Sequence, residues 1–241
     1  MHPSFFAVLC ALPCSLAAAA PTCEAVSGKS RVPVIDLYTS EGCSSCPPAN
    51  QWLSNLKGKA VVAQAFHVAY WDYIGWKDRF ASAAHTTRQR EVAATNRLNG
   101  IYTPQVVLDG RDWRDWHQSG RSIEPRVAAR AQITLRRNAL GDSVAAQVTS
   151  VESSTAWTAY WTVTEHGHHS RVSAGENSGE FLKHDFVVRQ YVPVGRYQEA
   201  QSLAFHPVAA QAGHPRQINL VVADARTGEP LQAISLQCPD R

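Results

Sequence analysis

The 241-residue chain has no run of basic residues and no basic stripe spaced by aromatics, and its 23 Lys and Arg against 20 Asp and Glu leave a net charge of +3. Nucleic acid, which needs a concentrated positive face, is therefore not an expected partner. Methionine is confined to Met1, so no thioether set favouring Cu(I) can form. After residue 20 no apolar stretch is long enough to span a bilayer, and no membrane span is expected in a mature form. There is no internal repeat, no low-complexity tract and no second Cys-x-x-Cys, which leaves a zinc site two ligands short.

What is present begins with an apolar stretch from Phe5 to Ala20 that ends in small residues before Pro21. That pattern reads as a secretory signal over residues 1–20, although the segment Met1 to Ser4 carries no basic residue. The expected location is outside the cytoplasm, in the periplasm. Cleavage near Ala20 removes Cys10 and Cys14 and leaves Cys23, Cys43, Cys46 and Cys238, for which three pairings exist. The close spacing of Cys43 and Cys46 suits a local redox pair, and Cys23 with Cys238 suits a structural disulfide joining the two ends of the chain.

From Val32 to Val68 the pattern runs strand, helix, strand. Val34 to Tyr38 is an apolar run of strand length; Ala49, Trp52, Leu53 and Leu56 recur at helical spacing before Gly58; Ala60 to Val68 is extended again. A polar helix is predicted from about Ser82 to Leu98, a strand at Gln105 to Leu108, a hairpin turn at Asp109-Gly110, and a further helix around Ser122 to Ala131. Beyond Gln132 the texture changes. Trp157 to Thr164 alternates with period two, and Phe186 to Val192, Ile218 to Ala223 and Leu231 to Leu236 are further strand-like runs. The expected architecture is an α/β thioredoxin-like domain over residues 21–131 followed by an all-β sandwich-like domain over 132–241.

The chemistry-bearing segment is Thr39 to Pro48, which sets Cys43 and Cys46 between a predicted strand and a predicted helix. Thiol exchange needs a thiolate, and the free N–H groups at a helix start stabilise one. Cys43 is expected to be the exposed nucleophile and Cys46 the shielded partner that resolves a mixed disulfide. Pro47 and Pro48 fit the first helical turn, where a missing N–H is harmless. Thr103-Pro104 precedes the predicted strand at Gln105, and a cis bond there would offer backbone to an extended substrate. Asp36, amid apolar neighbours, could shuttle a proton for Cys46 or pair with a basic side chain. Glu41 reads as solvated, with a charge opposing a Cys43 thiolate.

His67, Tyr70, Trp71, Asp72, Tyr73 and Trp76 crowd the end of the second strand, where His67, Trp71 and Thr103 are candidate substrate contacts and Trp76 reads as core. His166, His168 and His169, with His184 nearby, read as a solvated loop rather than a metal site.

Thr39 to Ala49, Phe66 to Asp78, Tyr102 to Gln105, Gly175-Glu176-Asn177 and His184 to Arg189 together resemble a family of bacterial secreted proteins, catalogued as a domain of unknown function within the thioredoxin-like superfamily. The resemblance spans nearly all of the mature chain. It implies a thioredoxin-like first domain and brings no settled activity with it. The reading reached is an exported thiol–disulfide oxidoreductase using Cys43, Cys46, Pro104 and Asp36, with no cofactor. Its partners would be protein thiols or disulfides, and a membrane protein is compatible as redox partner. Two rival readings are a non-catalytic envelope binding module braced by a static Cys43–Cys46 bridge, and a metal chaperone using the same sulfurs.

Overall fold

A computed structural model of the chain describes residues 23–118, 123–138, 140–150 and 156–238. The expected leader, residues 1–20, lies outside the described residues. In chain order the strands are β1 (Glu24–Val26), β2 (Val34–Thr39), β3 (Val62–His67), β4 (Gln105–Leu108), β5 (Arg111–Asp112), β6 (Ala131–Arg137), β7 (Val144–Ser150), β8 (Trp157–Glu165), β9 (His168–Arg171), β10 (Phe181–His184), β11 (Val187–Tyr197), β12 (Gln201–Phe205), β13 (Arg216–Asp224) and β14 (Pro230–Leu236). Two α-helices, α1 (Pro47–Ser54) and α2 (Ala83–Thr95), and a 3-10 turn at Ala69–Ile74 lie among them. No helix among the described residues is long and apolar enough to cross a membrane.

Helix α2 starts at Ser82, whose hydroxyl accepts from Ala84 N and so satisfies one of the helix's open donors. At the tip of the β4–β5 hairpin, Asp109 and Gly110 both hold positive φ (51° and 78°), the geometry that a two-residue turn between twisted strands requires. Gly110 has a second reason to lack a side chain, since a Cβ there would lie 2.9 Å from the Gly228 carbonyl oxygen.

The expected fold class does not hold. The described residues are mostly β-sheet, 42% strand against 13% helix, with large mixed sheets, and do not form an α/β thioredoxin-like fold with helices. One eight-stranded sheet, ordered β14-β13-β8-β11-β3-β2-β4-β5, takes strands from both halves of the chain. The join is β3 against β11, parallel, with Ala65 N donating to Phe186 O at 2.8 Å. Alternation in a sequence reveals which segments are strands but not which strand each one pairs with, and β11 can serve both halves because Val187 and Val188 are both buried. The helix expected around Ser122 to Ala131 is also absent among the described residues. Residues 123–130 are irregular around Pro125, and Ala131 opens β6.

The apolar packing follows from this arrangement. The four-stranded sheet β1-β6-β7-β12 packs its Ile133, Leu135 and Val148 against Trp157, Trp161 and Leu220 of the large sheet. At the other end of the large sheet, α1 lays Ala49, Leu53 and the following Leu56 on Ile35, Leu37 and Ala65, while the opposite face holds Tyr38, Phe66 and Val107. Cys23 and Cys238 are disulfide-bonded, with Cα atoms 5.8 Å apart, at the margin of the first core.

Candidate functional site

Strand β2 runs through the sheet and delivers Thr39 to its edge, where residues 40–46 turn into α1. Pro47 starts that helix, and the Cys46 carbonyl accepts from Ala49 N and Asn50 N at 3.0 and 3.1 Å. Asn50 fixes the turn to the strand, since its Nδ2 donates to Thr39 Oγ1 at 2.7 Å and to Cys46 O at 3.1 Å. Cys43 and Cys46 form a disulfide with Cα atoms 5.4 Å apart. The Ser45 hydroxyl lies 3.4 Å from Cys43 Sγ, close enough to donate to a thiolate there.

The pair does not present an open nucleophile as the sequence suggested, because Cys43 is only 1% exposed and Cys46 is fully buried. Its cover has two parts. Residues 69–74 lie against Gly42, where a Cβ would meet Trp71 Cβ at 3.0 Å and Ile74 Cδ1 at 3.2 Å, so the lack of a side chain lets this turn close on the motif. Trp71 then reaches across to donate from Nε1 to Thr103 Oγ1 at 2.8 Å, and the Thr103–Pro104 bond is cis. The second part is the β9–β10 loop. Glu176 accepts from Ser44 N at 3.0 Å, and Asn177 Nδ2 donates to the carbonyls of Glu41 and Cys43 at 2.8 and 3.0 Å.

Of the candidates named from sequence, the structure brings Cys43, Cys46, Trp71, Thr103 and Pro104 into one neighbourhood. Asp36 lies on the sheet face opposite α1, where Arg88 Nη2 pairs with its Oδ2 at 2.8 Å and Gln64 donates to its Oδ1 at 2.8 Å. Burial pushes the Asp36 carboxyl up in spite of both contacts. Of the two roles considered for Asp36, the contacts are those of the ion pair. His67 is fully buried, with Nδ1 2.6 Å from Asp78 Oδ2. It belongs to a layer beneath the cysteines and not to an exposed groove.

That layer contains the residues that sequence reasoning misread. Glu41 is fully buried, not solvated. Its carboxylate accepts from Trp76 Nε1 at 2.8 Å and bonds His184 Nε2 at 3.1 Å, while its backbone N donates to Asp78 Oδ2 at 2.9 Å. Trp76, expected in the core, is half-buried and serves as this hydrogen-bond donor. The histidine tract is solvated only in part, since His169 is exposed on β9 and His166 is half-buried. His168 lies buried in β9 against Glu165 at 2.9 Å, and His184 is buried in β10. Among the described residues no group of three or more His, Cys, Asp or Glu is arranged to hold a metal ion. A cavity of about 340 Å³ along α1 and β10 is lined by Ser40 and Pro47, on either side of the cysteine pair.

The layer makes folding acid-sensitive. Burial drives the Glu41 carboxyl up, but hydrogen bonds from His184, Ser170 and Trp76 outweigh it and hold the group below its ordinary range; His67 and two backbone N–H groups do the same for Asp78. Burial pushes His184 down, and His85 down to about 4. A histidine held below its unfolded pKa contributes stability that is lost as pH falls under about 6.5, and a depressed carboxylate contributes stability lost below about 4. Urea midpoints are therefore expected to fall from pH 7.5 to 5.5 and again to 3.5. A midpoint at pH 5.5 equal to that at 7.5 would contradict the histidine assignment.

Glu176 and Asn177 carry functional contacts that no spacing rule could find, since they reach the motif from 132 to 136 residues away. The available signal was the Gly-Glu-Asn segment itself.

Comparison with known proteins gives three findings. A family described as a protein of unknown function, DUF1223, matches residues 34–223. A crystal structure of protein AGR_C_4864 from Agrobacterium tumefaciens is similar over 89% of this chain and 98% of that one, at 24% identity and a TM-score of 0.68. HBP35 of Porphyromonas gingivalis is similar over 87% of this chain and 76% of its own, at 9% identity and a TM-score of 0.54. These two likenesses concern the fold. No curated protein matches.

Proposed function

We propose that this chain, which belongs to the DUF1223 family, is an exported thiol–disulfide exchange protein whose reacting pair is Cys43 and Cys46. The observation that carries the reading is the disulfide at the start of α1 with the Ser45 hydroxyl 3.4 Å from Cys43 Sγ. A helix start and a hydroxyl donor both lower the free energy of a thiolate on Cys43. When a substrate thiolate attacks Cys43 Sγ, a mixed disulfide forms and the Cys46 sulfur departs with the electron pair of the broken bond. A second substrate thiol then displaces Cys43, so that two substrate thiols are oxidised and the bridge is reduced. Run backwards, the same atoms reduce a substrate disulfide. Thr103, cis Pro104 and Trp71 form the edge on which an extended substrate would be held. Residence in the periplasm is part of the proposal and is supported by the two disulfides and the apolar stretch from Phe5 to Ala20.

The burial of both cysteines favours a second reading, a binding module in which the bridge is a static brace. Insulin separates the two. With dithiothreitol as electron source, the protein is expected to speed insulin reduction by at least about tenfold and Cys43→Ser is expected to abolish the effect; Cys46→Ser, reduced beforehand and freed of dithiothreitol, is expected to accumulate an insulin adduct on Cys43. Insulin reduction at the background rate, with no adduct on Cys46→Ser, would establish the static brace instead.

A further inference from the structure

Cys43 is buried although Ser44 and Ser45 beside it are open to solvent. An attacking thiolate must approach a sulfur along the S–S axis, so no exchange can occur at Cys43 until something moves. The covering groups are unequal in how they are held. Residues 69–74 continue directly from the β3 end and pack through side chains, whereas the β9–β10 loop grips the motif through three hydrogen bonds to its backbone: Glu176 to Ser44 N, and Asn177 to Glu41 O and Cys43 O. The loop is closed on itself by Gly179 N to Val172 O at 2.8 Å and Val172 N to Glu180 O at 3.0 Å, bonds that survive if its tip lifts. Asn177 is 5% exposed, so its carboxamide is committed to those two carbonyls.

We infer that the β9–β10 loop is a latch over the cysteine pair, with Asn177 and Glu176 as the positioning residues that decide when Cys43 can be attacked. The inference rests on the exchange reading and names the regulation of that same site. Glu176 also couples the latch to redox state. Its carboxylate occupies the Ser44 N–H, next in the chain to Cys43, and would be repelled by a thiolate formed there, so reduction favours the lifted loop. Local opening of this kind lies well below global unfolding in free energy, because it breaks three hydrogen bonds and the contact of Gly175 with Ile74 while the hydrophobic clusters stay packed.

Dithiothreitol tests the latch without any protein substrate. Its thiolate attacks Cys43 Sγ, the bond to Cys46 breaks with the electron pair on Cys46, and the second dithiothreitol thiol closes a ring, leaving two cysteine thiols and oxidised dithiothreitol. Asn177→Asp keeps the side chain's shape but removes both N–H donors. It is expected to raise the reduction rate of Cys43–Cys46 by about tenfold, the scale of losing two hydrogen bonds to carbonyls, with Glu176→Gln giving a smaller rise. The Cys23–Cys238 bridge is the internal control and is expected to reduce at its wild-type rate. A Cys43–Cys46 rate within about twofold of wild type, or both bridges accelerating together, would overturn the latch. Should Asn177→Asp not fold, hydrogen exchange at the Ser44 amide of the wild type decides. Exchange by a urea-independent local opening supports the latch, and exchange only through global unfolding refutes it. An intact latch with no insulin reduction would defeat the exchange reading alone, and exchange with no latch would defeat only this inference.

Discussion

Replacing Cys23 and Cys238 together by serine is expected to lower stability by about 4–5 kcal/mol, whereas the same change at Cys43 and Cys46 is expected to lower it by about 2 kcal/mol or less. The contrast comes from the unfolded chain. The first bridge spans a sequence separation of 215 and the second a separation of 3, and closing a long loop removes far more conformational freedom than closing a short one. Marginal domain stability makes a change of that size a large part of the total. The bridge also sits where it can act, since Cys23 and Cys238 pack on the core that holds Trp157 and Trp161, and β1 pairs with β6 immediately after Cys23. Urea unfolding of the two double-serine proteins gives the comparison. Exchange at Cys43–Cys46 is expected to persist in the first protein under conditions where it stays folded. A loss below about 2 kcal/mol for Cys23 and Cys238 would show that the two ends fray locally without loosening the core, because a fraying end no longer closes the loop.

How much of this was legible in the sequence depends on the range over which each signal acts. The Asp109-Gly110 turn, the start of α2 at Ser82 and the proline start of α1 are fixed by backbone preferences within a few residues, and all three stand in the structure where the pattern put them. The period-two run at Trp157 to Thr164 became β8 for the same reason. Sheet membership obeys no such local rule. Strands β3 and β11 join two stretches of chain that differ in texture, and nothing in either one states that Ala65 will meet Phe186. The site shows the same division. Cys43 and Cys46 were found from their spacing and context, but Glu41 was misread because a Ser-Glu-Gly sequence looks like a solvated turn. Its burial depends on His184, 143 residues further on, and on Trp76, each supplying a hydrogen-bond donor to a carboxylate that could not otherwise leave water.

Arg88→Met is expected to destabilise the fold by about 3–5 kcal/mol at pH 8, the scale of breaking one half of a buried ion pair. Arg88 extends from the otherwise polar helix α2 into the face of the large sheet, where it pairs with Asp36, hydrogen-bonds Tyr38 and lies over the rings of Phe66 and Tyr160 at 4.6 and 4.7 Å. Methionine has similar reach and fills most of the same space, so the loss isolates the charge and its hydrogen bonds from the packing. Asp36 would be left buried with Gln64 as its remaining donor. Burial already drives the Asp36 carboxyl up, and removing the guanidinium removes the largest opposing influence. A carboxyl whose folded pKa stands above its unfolded value favours the folded state at low pH and loses that contribution as pH rises through the folded pKa. The deficit of Arg88→Met relative to wild type is therefore expected to shrink from pH 8 to pH 5, as Asp36 takes up a proton. Adding Asp36→Asn is expected to recover stability to within about 2 kcal/mol of wild type, since no charge is then left unpaired. Urea unfolding of the single and double variants at both pH values measures all of this. A deficit in Arg88→Met that stays constant between pH 8 and pH 5 would mean that Asp36 remains ionised without its partner, against the rise that burial without the guanidinium predicts.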